Sequence, residues 1–169
     1  MNSDPLFQEL EQFPYVLTVL LRGVSQSEAC HKPDMDTWSI LEVVCHLVDE
    51  ESDDFRERLD YILNRQGEKW KLIDPGTWVV TRAYAERELG ERLDTFCEER
   101  QRSLAWLRDL DAPDWDTSYK APFGVISAGD VLAAWVAHDN LHLRQLVELK
   151  RVRLLGLVKP YDVRYAGDW

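Results

Sequence analysis

Hydrophobic residues recur every three or four positions along most of the chain, which is the spacing of one face of an α-helix. In the first stretch, Leu6, Leu10, Phe13 and Leu17 share a face. The pattern predicts four long helices, over residues 4–23, 39–66, 83–110 and 127–150. No segment alternates convincingly between apolar and polar residues with a period of two, so no strand is predicted. The predicted fold class is therefore all-α, as a four-helix bundle.

Local signals place several of the predicted helix ends. Ser39 and Glu42 have the spacing of a capping box, and Ser127 and Asp130 repeat it with Asp in place of Glu. Gly23 is a typical stop signal at the end of the first helix. These signals predict defined N-termini for the second and fourth helices.

Two other stretches are predicted to be irregular. Residues 71–80 contain Asp-Pro-Gly, which is typical of turns, and are expected to form a loop. The tail, residues 151–169, has no periodicity and is expected to fold over the bundle or onto a second subunit, in which case the protein is a homodimer. No repeat, low-complexity segment or Gly/Pro/Ser-rich linker divides residues 1–169, so a single domain is predicted.

Composition and charge narrow the classes of partner. The 169 residues are 45% hydrophobic and 30% charged, which is a globular balance. The net charge of −11 repels phosphate groups and argues against nucleic acids and anionic membranes. No apolar run reaches the roughly 18 residues of a membrane-spanning helix. The N-terminus lacks the basic start and apolar core of a signal peptide, so a cytoplasmic location is predicted.

Two histidines of the predicted fourth helix, His138 and His142, are four residues apart. Residues at this spacing lie on one face of a helix, so their rings can converge on one point. Imidazole nitrogens bind divalent metals, and the same spacing recurs at zinc sites. Buried histidines that bond to carbonyl groups or carboxylates are the alternative, and the spacing alone leaves both open.

His46, in the predicted second helix, is the third candidate ligand. It lies either on a solvated acidic face or in a polar cleft where carboxylates orient a metal ligand. Glu50, one turn further on, is the first candidate for orienting a ligand or transferring a proton, and Asp139 is the second. His31 follows a cysteine in a polar loop and is expected at the surface.

Residues 38–47 (WSILEVVCHL) and 135–146 (WVAHDNLHLRQL) together resemble the DinB-like family, and Phe96-x-x-x-Arg100 on the third helix is similar to it as well. Members of this family are small metal-binding four-helix proteins. Many are described as metal-dependent hydrolases, and bacterial low-molecular-weight-thiol S-transferases are among their relatives. The resemblance implies a four-helix bundle that holds a divalent metal through three histidines near one end of the bundle. Those ligands are His46, His138 and His142.

The resemblance implies a metal-dependent enzyme of the hydrolase or thiol S-transferase type, acting on a small molecule, which in the second case includes a low-molecular-weight thiol. Imidazole suits zinc, nickel, copper and iron alike, and zinc or nickel is the expected cofactor. Two alternatives stay open. One is a non-catalytic protein that binds a metal or a small ligand, and the other is a bundle in which the histidines are only structural.

Two further features bear on specificity. Many relatives carry a histidine four residues before the glycine that leads into the last helix, whereas this chain has Lys120. If that histidine handles substrate in the relatives, the lysine predicts a different specificity or no activity. Among the tryptophans, Trp78 and Trp115 are expected in loops and are the first candidates to line a pocket.

Overall fold

The computed structural model describes residues 1–167, and most of them are helical. In chain order the helices are α1 (Asp4–Leu21), α2 (Gln26–Ala29), α3 (Ile40–Glu50), α4 (Arg56–Asn64), α5 (Pro75–Thr81), α6 (Leu89–Asp109) and α7 (Ala128–Leu157). A π-helical segment, Glu51–Phe55, joins α3 to α4. The predicted second helix is therefore two α-helices with a π-helical turn between them. The last two residues of the predicted tail lie outside the described range.

Four long helical units pack into a bundle. Helix α1 packs on α6 and α7, and α3 packs on the same two helices, while α4 packs on α7. The predicted all-α four-helix bundle is confirmed. No helix within residues 1–167 combines the length and the apolarity that crossing a bilayer requires.

The predicted caps fix the start of the two helices that carry the candidate ligands. The Ser39 hydroxyl accepts a hydrogen bond from the Glu42 amide, and the Glu42 carboxylate accepts one from the Ser39 amide at 2.7 Å. Ser127 and Asp130 form the same reciprocal pair at the start of α7. Both capping boxes are confirmed. Gly23, just beyond α1, has a φ of +80°, which explains why a glycine ends this helix.

Three predicted elements differ from the observed ones. Residues 71–80 were predicted to form a loop, and this is wrong because α5 covers much of the stretch, with Pro75 at its first turn and buried Trp78 as its anchor. Helix α6 begins at Leu89 rather than at residue 83. Ala83 is left-handed (φ +49°), Tyr84–Glu86 form a separate 3-10 turn, and the backbone of Arg87 and Glu88 is extended. Helix α7 continues seven residues past the predicted end, to Leu157.

A β-hairpin also precedes α7, although no strand was predicted. Strands β1 (Ser118–Ala121) and β2 (Gly124–Ser127) pair antiparallel around a two-residue turn. Each strand has only four residues, which is too short for a convincing period of two. The ring of Tyr119 on β1 stacks on Trp70 with centroids 4.7 Å apart, so the hairpin packs against the segment that follows α4.

The bundle core consists of two apolar clusters. One is centred on Leu17, Leu47 and Phe96, and the other on Leu59, Leu104 and Trp135. Along α6, Arg100 lies between Phe96 of the first cluster and Leu104 of the second. A charged side chain therefore occupies the layer between two apolar regions.

Arg100 is the centre of a buried ionic network. Its Nε and Nη2 atoms donate to the two carboxylate oxygens of Glu51 at 2.8 Å each. Its Nη1 and Nη2 atoms donate to Asp139 at 2.8 and 3.0 Å, and Nη1 also donates to the carbonyl oxygen of Leu10 at 2.9 Å. Glu51 accepts a further bond from Trp135 Nε1 at 2.9 Å. One guanidinium thus connects α1, the π-helical segment, α6 and α7.

We predict that Arg100→Met strongly destabilises the protein. Removal of the guanidinium leaves the Glu51 and Asp139 carboxylates buried without a cation, which costs about 3–5 kcal/mol. The measurement is the free energy of unfolding in urea. Arg102→Met is the matched control, because Arg102 lies on the same helix and pairs with Glu98 and Glu99 but is exposed; its expected cost is below about 1 kcal/mol. Equal losses for the two variants would contradict a structural role for the network.

Candidate metal centre

Three histidines meet in the layer between the two apolar clusters. His46 comes from α3, and His138 and His142 lie one turn apart on α7. The Nε2 atoms of His46 and His138 are 3.2 Å apart, and those of His138 and His142 are 3.0 Å apart. The three residues offer nitrogen atoms that all lie within 4.8 Å of one another. The structure therefore brings together the three predicted ligands, two of them from the middle of α7.

These distances fit a divalent metal ion. With metal–nitrogen distances of about 2.0–2.1 Å, two ligand nitrogens are about 3.3 Å apart in a tetrahedral site and about 2.9 Å apart in an octahedral one. The His46–His138 and His138–His142 separations of 3.2 and 3.0 Å fall within that range, and all three nitrogen atoms lie within 4.8 Å of one another. Three neutral imidazoles that share one small space cannot satisfy every ring nitrogen by bonding to each other, whereas a cation accepts all three lone pairs.

The second ring nitrogen of His142 fixes its tautomer. Nδ1 lies 2.8 Å from the Oε1 atom of Gln145, three residues further along α7. A carbonyl oxygen only accepts, so Nδ1 carries the proton and donates it. In the neutral ring, Nε2 is then unprotonated and presents its lone pair to the other two histidines. Metal-binding histidines are commonly oriented by such a partner on the far nitrogen.

Burial keeps the three rings neutral. Burial lowers the pKa of His46 to about 3, and the charge of His142 adds a smaller effect. Burial also lowers the pKa of His138 to about 3, and the charges of the two neighbouring histidines add to it. Burial also lowers the pKa of His142, partly offset by the hydrogen bond to Gln145. Because only the neutral ring binds a metal, all three imidazoles are in the binding form at neutral pH.

Aromatic side chains enclose the cluster on two sides. The Trp38 ring lies edge-on to His46 at 4.8 Å and parallel to His142 at 6.5 Å between ring centroids. The Phe55 ring, at the end of the π-helical segment, is 5.0 Å from the His138 ring. The expectation that Trp78 and Trp115 lie in loops fails for Trp78, which is buried in α5. Sequence reasoning did not single out Trp38 or Phe55 as neighbours of the histidines.

Glu50 lies beside the cluster, one turn after His46. Its Oε1 atom is 3.7 Å from His46 Nδ1, and within residues 1–167 this nitrogen is buried with no hydrogen-bond partner. Burial raises the pKa of Glu50 to about 8, and the charge and hydrogen bond of Asp54 add to the effect. A carboxyl group with such a pKa holds or releases a proton near neutral pH.

Asp139, the second predicted acid, takes part in the Arg100 network. Both of its oxygens accept hydrogen bonds from the guanidinium. Burial raises the pKa of Asp139 to about 6, although the Arg100 charge acts in the opposite direction. This pairing holds Asp139, and with it the turn of α7 that carries His138, against α6. The predicted role of Asp139 in proton transfer stays a prediction.

The remaining candidates lie away from the cluster. His31 is exposed, as expected. Lys120 is exposed on β1, paired with Val125 across the hairpin. Cys45 is buried, and burial raises the pKa of its thiol to about 12, so it remains protonated and is a poor nucleophile.

The Arg100 network was missed in the sequence, although one signal was available. Arg100 falls in the apolar stripe of the third predicted helix, between Phe96 and Leu104. A cation in such a position is buried when the helix packs, so it requires a buried anion. Which carboxylates supply that charge depends on the packing of the other helices.

Comparisons with known proteins agree with this architecture. YfiT from Bacillus subtilis, "a probable metal-dependent hydrolase with an unusual four-helix bundle topology", has a similar structure, with a TM-score of 0.78 and 22% sequence identity. The match covers 88% of this chain and 85% of that one. No curated protein sequence matches the chain.

The sequence profile of the DinB superfamily matches residues 9–146, a range that includes all three histidines of the cluster as well as Glu50, Arg100 and Asp139. The matched range runs from α1 into α7 and so spans the whole bundle. The chain belongs to the DinB superfamily.

Proposed function

We propose that this protein is a metal-dependent hydrolase that binds a divalent metal ion through the Nε2 atoms of His46, His138 and His142 and acts on a small molecule. The observation that carries the proposal is the meeting of three Nε2 atoms from two helices, at 3.0 and 3.2 Å. The orientation of His142 by Gln145 supports it, as does the description of YfiT as a metal-dependent hydrolase.

Three neutral imidazoles leave coordination positions open, which is typical of catalytic rather than structural metal sites. When bound, a divalent cation supplies Lewis acidity, which lowers the pKa of a coordinated water or thiol and polarises a substrate carbonyl. Zinc or nickel is the proposed occupant; both accept imidazole ligands, as copper and iron do.

The chain's own residues position the ligands and exclude water. Trp38 and Phe55 cover the histidine rings, which keeps the local dielectric constant low and strengthens electrostatic interactions at the site. Glu50, whose Oε1 atom lies 3.7 Å from His46 Nδ1, is the proposed residue to orient that ring and the first candidate to transfer a proton between nucleophile and leaving group. Asp139 holds the neighbouring turn of α7 through Arg100.

Two other functions are alternatives to hydrolysis at the same site. Transfer of a low-molecular-weight thiol uses the same open positions, with a thiol in place of water. A non-catalytic protein that binds a metal or a small ligand has the same three ligands and no turnover. A cytoplasmic location and association into a homodimer stay predictions.

We expect one metal ion per chain, lost when a ligand is removed. His46→Ala or His142→Ala lowers the affinity for zinc by at least about 100-fold, and Gln145→Ala lowers it by about 10- to 100-fold because it removes only the orienting partner. The measurement is elemental analysis of untagged protein, with zinc titration of the metal-free form. His31→Ala is the control, since His31 is exposed, and it leaves stoichiometry and affinity unchanged. Retention of metal by His46→Ala and His142→Ala would exclude the proposed centre.

We expect the metal-loaded protein to hydrolyse a test ester such as 4-nitrophenyl acetate, and His142→Ala to abolish the metal-dependent rate. The parallel assay pairs cysteine with 1-chloro-2,4-dinitrobenzene and follows thiol transfer. Turnover in the second assay alone assigns the thiol-transferase function. Stoichiometric metal without turnover in either assay assigns the non-catalytic one.

Glu50→Gln separates the two roles assigned to Glu50. As an orienting residue, Glu50 contributes to metal affinity, so we expect the variant to bind zinc about 10- to 100-fold more weakly. At saturating zinc its turnover then stays within a few-fold of the unmodified protein. Unchanged affinity with a loss of about 100-fold or more in kcat would instead assign proton transfer.

Acid destabilises the metal-free protein through the buried histidines. Their pKa values are lower in the folded state than the unfolded value of about 6.5, so the unfolded state binds more protons and the free energy of unfolding decreases as pH falls below that value. At pH 5 His46 and His138, with pKa values of about 3, each contribute about 2 kcal/mol of this loss.

The measurement is the free energy of urea unfolding at pH 7 and pH 5 in the presence of EDTA. His138→Gln removes one buried imidazole and reduces the difference between the two pH values. His31→Gln, at an exposed position, leaves the difference unchanged. Glu50 and Asp139 have raised pKa values, so they stabilise the folded state as the pH falls, which opposes the effect of the histidines. Their contribution is the same in every variant and cancels when the variants are compared with the unmodified protein. An identical pH dependence for His138→Gln would rule out the neutral, buried state of this ring.

A further inference from the structure

A cavity of about 440 Å³ lies on the other side of Phe55 from the histidine cluster. Its volume is typical of small-molecule sites. Its wall is mainly apolar and aromatic, with side chains from α4, α7, the hairpin and the segments next to them: Phe55, Trp70, Ile73, Phe123, Ile126 and Val131. Phe55 belongs both to this wall and to the surroundings of His138. Ala134, one turn before His138 on α7, also lines the cavity. None of the three histidines lines the cavity, so the cavity meets the candidate metal centre through Phe55, which contacts both.

Two side chains of the wall carry buried hydrogen-bond donors that have no acceptor within residues 1–167. They are Nη1 of Arg58 and Nε1 of Trp70. Arg58 is only 7% exposed, its Nε atom donates to Asp54 at 2.7 Å, and its Cζ atom lies 4.8 Å from the centroid of the Trp70 ring. A buried donor without an acceptor costs about 1–3 kcal/mol. Both side chains line the cavity, so a ligand with an acceptor in this corner recovers that energy when the donor turns toward it.

The charge of the wall selects the type of acceptor. Its charged residues are Asp54, Arg58 and Lys71, so the wall has a net charge of +1 in a chain whose net charge is −11. A monoanion neutralises this charge. An arginine and a neighbouring N–H group bind a carboxylate by charge-assisted hydrogen bonds. A carboxylate has a single negative charge, whereas a phosphate has a higher one.

One carboxylate links this corner to the metal centre. Asp54 pairs with Arg58 and also interacts with Glu50, which lies beside His46. These four side chains follow one another at intervals of four residues along α3, the π-helical segment and α4. A ligand bound at Arg58 therefore rests on the same row of side chains as the metal centre.

We infer that the cavity is the substrate pocket of the proposed enzyme and that the substrate is a monocarboxylic acid with an apolar or aromatic body. Its carboxylate binds Arg58 and Trp70 Nε1, and its body packs on the aromatic wall with the reactive group next to Phe55. The assignment of a substrate rests on the proposed function, whereas ligand binding in the cavity is measured independently of it.

The test uses two probes of the same shape, 2-naphthoate and 2-naphthamide, and isothermal titration calorimetry with metal-free and zinc-loaded protein. We expect the naphthoate to bind at least about 10-fold more tightly than the amide in both forms, as for a hydrogen bond to a charged group. Arg58→Gln lowers the naphthoate affinity by at least about 10-fold and the naphthamide affinity by less than about 3-fold. Arg58→Lys keeps part of the preference because it keeps the charge, and Trp70→Phe, which keeps an aromatic ring, weakens naphthoate by a few-fold.

Arg65→Gln is the matched control. Arg65 also stacks on an aromatic ring, that of Tyr61 at 3.6 Å, and pairs with a carboxylate, that of Asp60, but it does not line the cavity. We expect this variant to bind naphthoate normally. Circular dichroism and thermal unfolding of each variant establish that the protein is folded, and Arg58→Lys provides the test if Arg58→Gln does not fold.

The outcomes distinguish this inference from the proposed function. Equal affinity for the two probes, no binding of naphthoate, or an unchanged preference in the Arg58 variants overturns the pocket assignment. If naphthoate binds only in the presence of zinc and with unchanged affinity in the Arg58 variants, its carboxylate binds the metal. That result overturns the inference and still supports the metal centre. Binding that depends on Arg58 in a protein that takes up no metal supports the pocket and excludes the metal-dependent function.

Discussion

The structure depends on the buried pairing of Arg100 with Glu51 and Asp139. A guanidinium and two carboxylates in the layer between two apolar clusters are costly to bury unless each hydrogen-bonding group has a partner. Here the five donors of the arginine fork are directed to Glu51, Asp139 and the Leu10 carbonyl. This requirement leaves the four helical units little freedom to slide or rotate against each other at this level.

The candidate metal centre is built on that constraint. Glu51 follows Glu50, and Asp139 follows His138, so each carboxylate of the network adjoins a residue of the site in sequence. Successive residues on a helix point about 100° apart. When Glu51 and Asp139 face Arg100, Glu50 and His138 are therefore turned to a neighbouring side of their helices. The network sets the rotation of both helices about their axes, and this rotation brings His46 to His138 and His142.

The π-helical segment extends the same arrangement toward the cavity. It carries Glu51 at one end and Phe55 at the other, so a single turn contributes to the ionic network, to the cover of His138 and to the cavity wall. π-Helical turns are frequent at functional sites because they redirect side chains without ending the helix. Membership of the DinB superfamily accounts for the bundle, whereas the reaction depends on these particular side chains.

The sequence by itself determined the features that depend on residues close together in the chain. These are the four long helices, the capping boxes at Ser39 and Ser127, and the position of His138 and His142 on one helix face. The sequence also made His46 a third candidate ligand, and the likeness of two motifs to a family assigned it to the same metal as the other two. Only the tertiary structure decided that His46 meets His138 across 92 residues, which carboxylates pair with Arg100, and which side chains line the cavity. Helix α5 and the hairpin were also found only in the tertiary structure, because elements this short have too few residues to show a hydrophobic period. The physical reason is that helical spacing is encoded three and four residues apart, whereas contacts between helices depend on their rotation and depth, which no local pattern specifies.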